Sequence, residues 1–405
     1  MSTGRRMMLG SLGAIATAAG LLPAKGNGPA AAAAPQPAGE MLFGPHQPGI
    51  GSPGQSHSYF GAFDLAASTK RGDLVGLFQT WTKAAQTLMR GEPTAGDSQE
   101  VLDYAPARLS ITFGFGAELF TPGRFGLEAK RPAALIELPK FPGDELDPAR
   151  TGGDLSVQAC ADDPQVAFHA VRQLARLANG VATLRWTQIG YVSKPKPSAT
   201  PRNLMGFKDG TRNVDIADPA QMNKFVWVGE EGPDWMQGGS YLVIRRIRMA
   251  LEHWDATKVS FQEQTMGRTK QTGAPIGGHG EFDTPDFKAT DADGNYKLAE
   301  SSHVRLAAPE MNDGMKILRR PYSYNDGANV VAERWPPWRE GLEYDAGLVF
   351  IVYQRDPSTG FVPIFKRMSR MDMLNQYTTH TGGGLFAIPG GIRRGEYLGQ
   401  RLLEG

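Results

Sequence analysis

Cysteine is almost missing from this sequence. The single one among 405 residues, Cys160, excludes an intramolecular disulfide framework and any paired CxxC metal site. Set among small and apolar neighbours in DLSVQACA, it reads as a buried small hydrophobe rather than a nucleophile. An excess of either charge is missing too. With 43 basic and 42 acidic side chains, the chain has no electrostatic footprint for nucleic acid or an anionic membrane surface. No P-loop and no HExxH zinc motif occurs. FGFGAE (113–118) is an incomplete dinucleotide fingerprint, and DADGNY (291–296) places its glycine too early for a calcium loop, so it reads as a turn. Long apolar runs are also lacking. The nearest, MMLGSLGAIATAAGLLPA, is interrupted by glycine and short of Leu and Ile, a poor spanning helix.

That stretch follows Arg5-Arg6 and precedes GNGPAAAAAPQPAG, so residues 1–40 read as a twin-arginine export signal with a small-residue linker. The expected destination is periplasmic or extracellular. Twin-arginine export carries folded proteins, often with a cofactor already inserted.

The remaining chain is long and apolar enough to bury two or three domains at about 150 residues each. Strand-like alternation at 58–65, 108–116, 154–161 and 183–192 brackets two helical stripes. These are 73–89 (Leu74, Leu77, Phe78, Trp81, Ala85, Leu88) and 165–179 (Phe168, Val171, Leu174, Ala178). The order is β-α-β-β-α-β. The second half repeats it, with strands at 240–251, 315–325, 346–354 and 384–390 and helices at 252–267 and 364–376. The expectation is an α+β fold of two tandem ferredoxin-like domains with antiparallel sheets, 55–215 and 238–402. A Gly-, Asp- and Pro-rich insertion, 268–314, interrupts the second.

Among seven histidines, His169 reads as a satisfied helix-face residue, and His380 lies in a loop before three glycines. His303, in SSHVRLAAPE after the insertion, has two readings, structural or ligating. Asp209, in GFKDGTRN, also has two. Asp-Gly favours a plain turn, whereas Gly206 and Gly210, lacking Cβ atoms, would let another group approach a proton-moving carboxylate.

Taken together, GFKDG, RLSITFGFG, GGDLSVQACADDPQVAFHAVRQLA, GGSYLVIRRIRM and SSHVRLAAPE resemble the dye-decolorizing peroxidases. The signal and HQPGI resemble the exported branch that includes the bacterial deferrochelatase/peroxidase. The resemblance runs from about residue 45 to 400. It implies one haem b per chain in the C-terminal domain, hydrogen peroxide and an organic electron donor as substrates, and iron release from haem as an alternative activity. An iron-uptake permease and self-association are further implied partners; nucleic acid and a membrane span are not expected.

By the same resemblance His303 matches the proximal iron ligand, Asp209 the distal aspartate and Arg319 the distal arginine. Gly210, Thr211 and Arg212, with Ala308, Pro309 and Glu310, match segments lying against the haem. Asp372 or a backbone carbonyl would accept from the second nitrogen of His303. Arg319 and Arg320 are neighbours that point to opposite faces of a strand, and Pro321 confines that segment to an edge or a bulge. Trp227, Trp235, Trp335, Trp338 and Tyr377 are candidates for relaying electrons to bulky dyes.

Overall fold

The computed structural model describes residues 42–193, 199–332 and 340–405, so the twin-arginine segment, Trp335 and Trp338 lie outside the described residues. In the N-terminal half, β1 (His57–Leu65), β2 (Ser110–Gly116), β3 (Leu155–Ala161) and β4 (Ala182–Tyr191) pair antiparallel in the order β4-β1-β3-β2. Helices α1 (Arg71–Met89) and α2 (Pro164–Leu177) cover one face. Asp163 starts α2 by accepting from the amides of Gln165 and Val166, with Pro164 at the first helical position.

A short helix, α3 (Pro219–Phe225), leads into the second half. There β5 (Ser240–Met249), β6 (Leu318–Arg319), β7 (Tyr322–Ala332), β8 (Glu340–Gln354) and β9 (Thr378–Ile388) pair in the order β9-β5-β8-β7. This is the order of the first half. The α+β, twice ferredoxin-like reading is therefore correct, and β6 and β7 are one strand broken at Pro321, as that residue demands.

The two sheets are not separate. Tyr191 of β4 pairs with Ser323 of β7, and Phe115 and Gly116 of β2 pair with Ala387 and Phe386 of β9, closing eight strands into a ring. Alternation sorts the side chains. Phe60, Ala62, Leu242, Ile244, Phe386 and Ile388 fill the inside of the ring, while Phe63, Tyr241, Val243 and Leu385 face the helices. Cys160 lies buried inside.

Several expectations are corrected. Phe168 is 41% exposed, because the buried stripe of α2 runs through Ala167, Ala170, Val171 and Leu174, about a quarter-turn away. The helix expected at 252–267 is two, α4 (Leu251–Asp255) and α5 (Val259–Met266), and Gln262 caps the break by donating to the carbonyls of Trp254 and Thr257. The late helix, α7 (Phe361–Met371), ends before Asp372 instead of running to 376. The insertion carries its own short helix, α6 (His303–Ala307), and the chain ends in α8 (Gln400–Leu403). DADGNY is a turn closed by Asp291, which accepts from the amides of Asp293 and Asn295.

Candidate functional site

Between the outer face of the C-terminal sheet, α6 and α7 lies a cavity of about 1590 Å³, its open mouth included. Met249, Met266, Leu348, Phe350, Ile364 and Met368 make its walls apolar.

His303 is the first residue of α6 and faces this cavity. Its Nδ1 lies 2.7 Å from Asp372 Oδ2, and Asp372 Oδ1 accepts from the amide of Leu374 at 2.8 Å. Ending α7 at residue 371 is what frees this carboxylate, since Asp372 caps the next turn with one oxygen and meets the imidazole with the other. Burial pulls the imidazole towards neutrality, but the charge and hydrogen bond of Asp372 outweigh it and hold His303 above its usual value. A carboxylate on Nδ1 places the proton there and leaves the Nε2 lone pair for the cavity.

Asp209, Gly210, Thr211 and Arg212 form a second wall. The loop before them folds back between Arg202 and Lys208, and the Asn203 carboxamide accepts from the amides of Met205 and Phe207. Phe207 is buried edge-on against Trp254. Gly206 does not face the cavity; its left-handed turn (φ +85°) is packed by the Lys270 side chain, which a Cβ would strike at 2.6 Å. Gly210 (φ +122°) does line the cavity. The insertion clamps this loop through Glu281, whose carboxylate takes the Thr211 hydroxyl at 2.9 Å and Lys208 Nζ at 3.2 Å.

Arg319 reaches the same cavity from β6. Its Nη2 donates to the Thr211 carbonyl at 2.9 Å, and its Nη1 lies 3.9 Å from Asp209 Oδ1. Arg320 points away, buried, donating to the carbonyls of Ile50 and Ser52. The strand alternation thus resolves the adjacent arginines in favour of Arg319. Ala308 and Pro309 line the cavity, whereas Glu310 meets it only through Arg212, whose Nη2 is 2.5 Å from Glu310 Oε1.

Two cavity residues escaped the sequence reading. His380 stands on β9, not in a loop. Between Arg246 and Ile247 the β5–β9 register slips by one residue, which turns His380 from the inside of the ring to the cavity side. Its Nδ1 is buried without a partner, and burial, with Arg245 nearby, lowers its pKa to about 3. Arg268 is the second. The sequence carries no signal for it beyond a lone Arg in a glycine-rich stretch.

The remaining candidates are dispersed. Trp227 stacks on His46 and Trp235 packs between Phe115 and Phe120, both buried. Tyr377 packs edge-on against Trp254, with its hydroxyl 3.1 Å from Thr257 Oγ1. His169 is buried on α2, with Nδ1 2.8 Å from Glu100 Oε1 and Nε2 3.3 Å from Asp97 Oδ2, but Nδ1 makes no aligned hydrogen bond, so it is not the satisfied helix-face residue expected. Those three form the one metal-ligand cluster found among the described residues.

An apolar cavity with one carboxylate-backed imidazole donor, a carboxylate and an arginine opposite, and further cations on its walls fits a haem in its shape and donor set. The class is that of a haem peroxidase. The profiles of the N- and C-terminal domains of Dyp-type peroxidases match residues 47–192 and 200–393. The dye-decolorizing peroxidase of Thermobifida fusca is 38% identical over 373 residues, covering 89% of this chain and 84% of that protein. A deferrochelatase of Shigella sonnei is 37% identical over 384 residues, covering 90% and 87%. Among solved structures, a DyP-type peroxidase from Streptomyces coelicolor superposes with a TM-score of 0.83 at 43% identity, covering 90% of this chain and 97% of that one. Ferric DtpA from Streptomyces lividans does so with a TM-score of 0.83 at 42% identity, covering 92% and 100%. The chain belongs to the Dyp-type peroxidase family.

Proposed function

We propose that the chain reduces hydrogen peroxide and oxidises organic reductants one electron at a time, with one haem b held by His303 in the C-terminal domain (238–402) beside the N-terminal domain (55–215). The observation that carries this reading is the convergence of His303, Asp372, Asp209 and Arg319 on one apolar cavity. When bound, haem supplies an iron centre that takes up the oxidising equivalents of peroxide. His303 Nε2 would hold the iron, with Asp372 fixing the tautomer of the imidazole and strengthening it as a donor. Asp209 accepts the proton leaving one peroxide oxygen and returns it to the other, so that water can depart. The Arg319 guanidinium stabilises negative charge as the O–O bond breaks. Its hydrogen bond to Thr211 and the Glu281 clamp hold the two groups at the same wall. Gly210 to Arg212, with Ala308 and Pro309, would flank the ring, and Glu310 would act on it only through Arg212.

Asp209→Ala and Arg319→Leu should keep the Soret band and slow the reaction with peroxide by about a hundredfold or more each in stopped-flow traces. Wild-type rates in both variants would remove the distal assignment.

A second reading, iron release from haem with peroxidase activity secondary, is favoured by the relatives named deferrochelatase. Incubation with haem decides it, since recovery of haem without free porphyrin excludes the activity. If porphyrin appears, an iron-uptake permease is the receiver to seek. We also propose export through Arg5-Arg6; Arg5→Lys with Arg6→Lys should leave the protein in the cytoplasm, and undiminished export would refute this.

A further inference from the structure

Residues 90–109, which join α1 to β2, contain neither helix nor strand, an uncommon length of irregular chain for a compact domain. One face of α2 holds this segment. Gln165 Nε2 donates to the Glu100 carbonyl at 2.7 Å, Arg176 Nη2 donates to the Ala95 carbonyl at 2.8 Å, and Gln173 reaches the Ser98 hydroxyl. His169 stands in the middle of the same face, its side chain only 3% exposed, beside Asp97 at 2% and Glu100 at 20%. The His169 Nδ1 and the Glu100 Oε2 are both buried with no hydrogen-bond partner. Asp97 accepts from the amides of Thr94 and Gln99, at 2.9 and 2.7 Å, which fixes its carboxylate beside the imidazole. Burial works against charge on both carboxylates, but hydrogen bonds outweigh it. Asp97 titrates below its ordinary value and Glu100 at about 2, so both are anions at neutral pH.

We infer that Asp97, Glu100 and His169 bind a first-row divalent cation such as zinc, which staples the 90–109 segment to α2. One ligand atom from each residue lies within 4.8 Å of the other two. Ligands of one tetrahedral zinc, at about 2.0–2.2 Å from it, stand about 3.4 Å apart, so displacements of about 1 Å gather the three. An imidazole with two carboxylates suits zinc, whereas calcium and magnesium take oxygen ligands. The two negative charges match the cation, and the buried Nδ1 and Oε2 gain the partner they lack. Arg172, whose Nη1 lies 2.9 Å from Glu100 Oε1, is 52% exposed and is free to turn to solvent as the cation enters. A cavity of about 470 Å³, its open mouth included, has Asp97 and His169 on its wall and supplies both an entry path and room for a water as fourth ligand. It shares no residue with the cavity that His303 faces, so the cation and the peroxide chemistry are tested separately.

The test uses the full-length, haem-loaded chain without a histidine tag, cleared of loose metal with EDTA and dialysed against buffered zinc. Zinc and iron are then counted by mass spectrometry. Wild type should hold one zinc per chain that about a hundredfold excess of calcium does not displace, and His169→Gln and Glu100→Gln should each bind it about 10- to 100-fold more weakly. Leu102 and Tyr104 are exposed in the segment, so chymotrypsin reports its opening. At free zinc about 100 times the wild-type dissociation constant, cleavage there should slow by about a hundredfold in wild type and by about tenfold or less in the variants. The peroxide rate per bound haem should be the same in all three. Should His169→Gln fail to accumulate, Glu100→Gln, altered at a partly exposed side chain, carries the test. No zinc bound at about 10 μM free metal would overturn the assignment and leave an imidazolium between two carboxylates. Zinc bound equally by wild type and both variants would place it elsewhere on the chain, and zinc bound without slower cleavage would overturn the staple.

Discussion

Asp372→Asn separates two tasks of one carboxylate. Oδ1 accepts from the Leu374 amide at 2.8 Å and starts the turn after α7; Oδ2 accepts from His303 Nδ1 at 2.7 Å. Asparagine is a good capping residue, so the first task survives and the fold should lose less than about 1 kcal/mol. The second does not survive. The side chain is only 2% exposed, so bulk water cannot replace the missing anion. With an amide NH₂ facing Nδ1, the proton moves to Nε2, the atom that must donate its lone pair into the cavity. With the amide oxygen there instead, the bond is neutral and weaker. Removing such a partner of a metal-bound histidine costs about 10- to 100-fold in metal affinity. Haem titration should therefore show Asp372→Asn weakened by that factor while thermal unfolding changes little. Asp372→Ala, which loses the cap as well, should show the affinity loss together with a further destabilisation of about 1 kcal/mol. Haem binding by Asp372→Asn within about twofold of wild type would refute the reasoning and reduce Asp372 to a helix-end residue.

Two further outcomes follow. His380 titrates near 3 in the folded chain, far below its ordinary 6.5, so between those values the unfolded chain binds the extra proton and stability falls as pH falls. Between pH 6.5 and 5 the haem-free protein should lose about 1–2 kcal/mol by this route, and urea midpoints for His380→Leu should lack that slope; identical slopes would show that His380 is solvated. Arg320→Leu should destabilise by about 2–4 kcal/mol, because the buried guanidinium binds the carbonyls of Ile50 and Ser52, yet leave the peroxide rate per bound haem unchanged. A slowed rate with unchanged stability would exchange the roles assigned to the two arginines.

The order of elements was legible because period-two strands and amphipathic helices are local patterns. The ring closure was not, since it depends on one pair between β4 and β7 and two between β2 and β9, contacts that no local pattern encodes. Alternation at Arg319 and Arg320 could be read only because both lie on one strand segment that Pro321 ends. His380 defeated the same logic, since a one-residue slip opposite Arg246 and Ile247 reverses its face. Asp372 could be named as an acceptor, but a helix drawn through residue 376 would have left its carboxylate no reason to point at His303. The two glycines of GFKDGTRN looked equivalent in sequence. Only Gly210 borders the cavity, because the Lys270 stem fills the space beside Gly206. Arg268 had nothing to announce it, because what sets it apart is burial without a carboxylate partner.

The decisive measurement is the visible absorption spectrum of the purified full-length chain and of His303→Ala, each recorded before and after one equivalent of hydrogen peroxide and again after an organic reductant. Wild type should show a Soret band that changes with peroxide and returns with reductant, and His303→Ala should lose the band. A His303→Ala protein that keeps the wild-type band and the wild-type response would contradict the account.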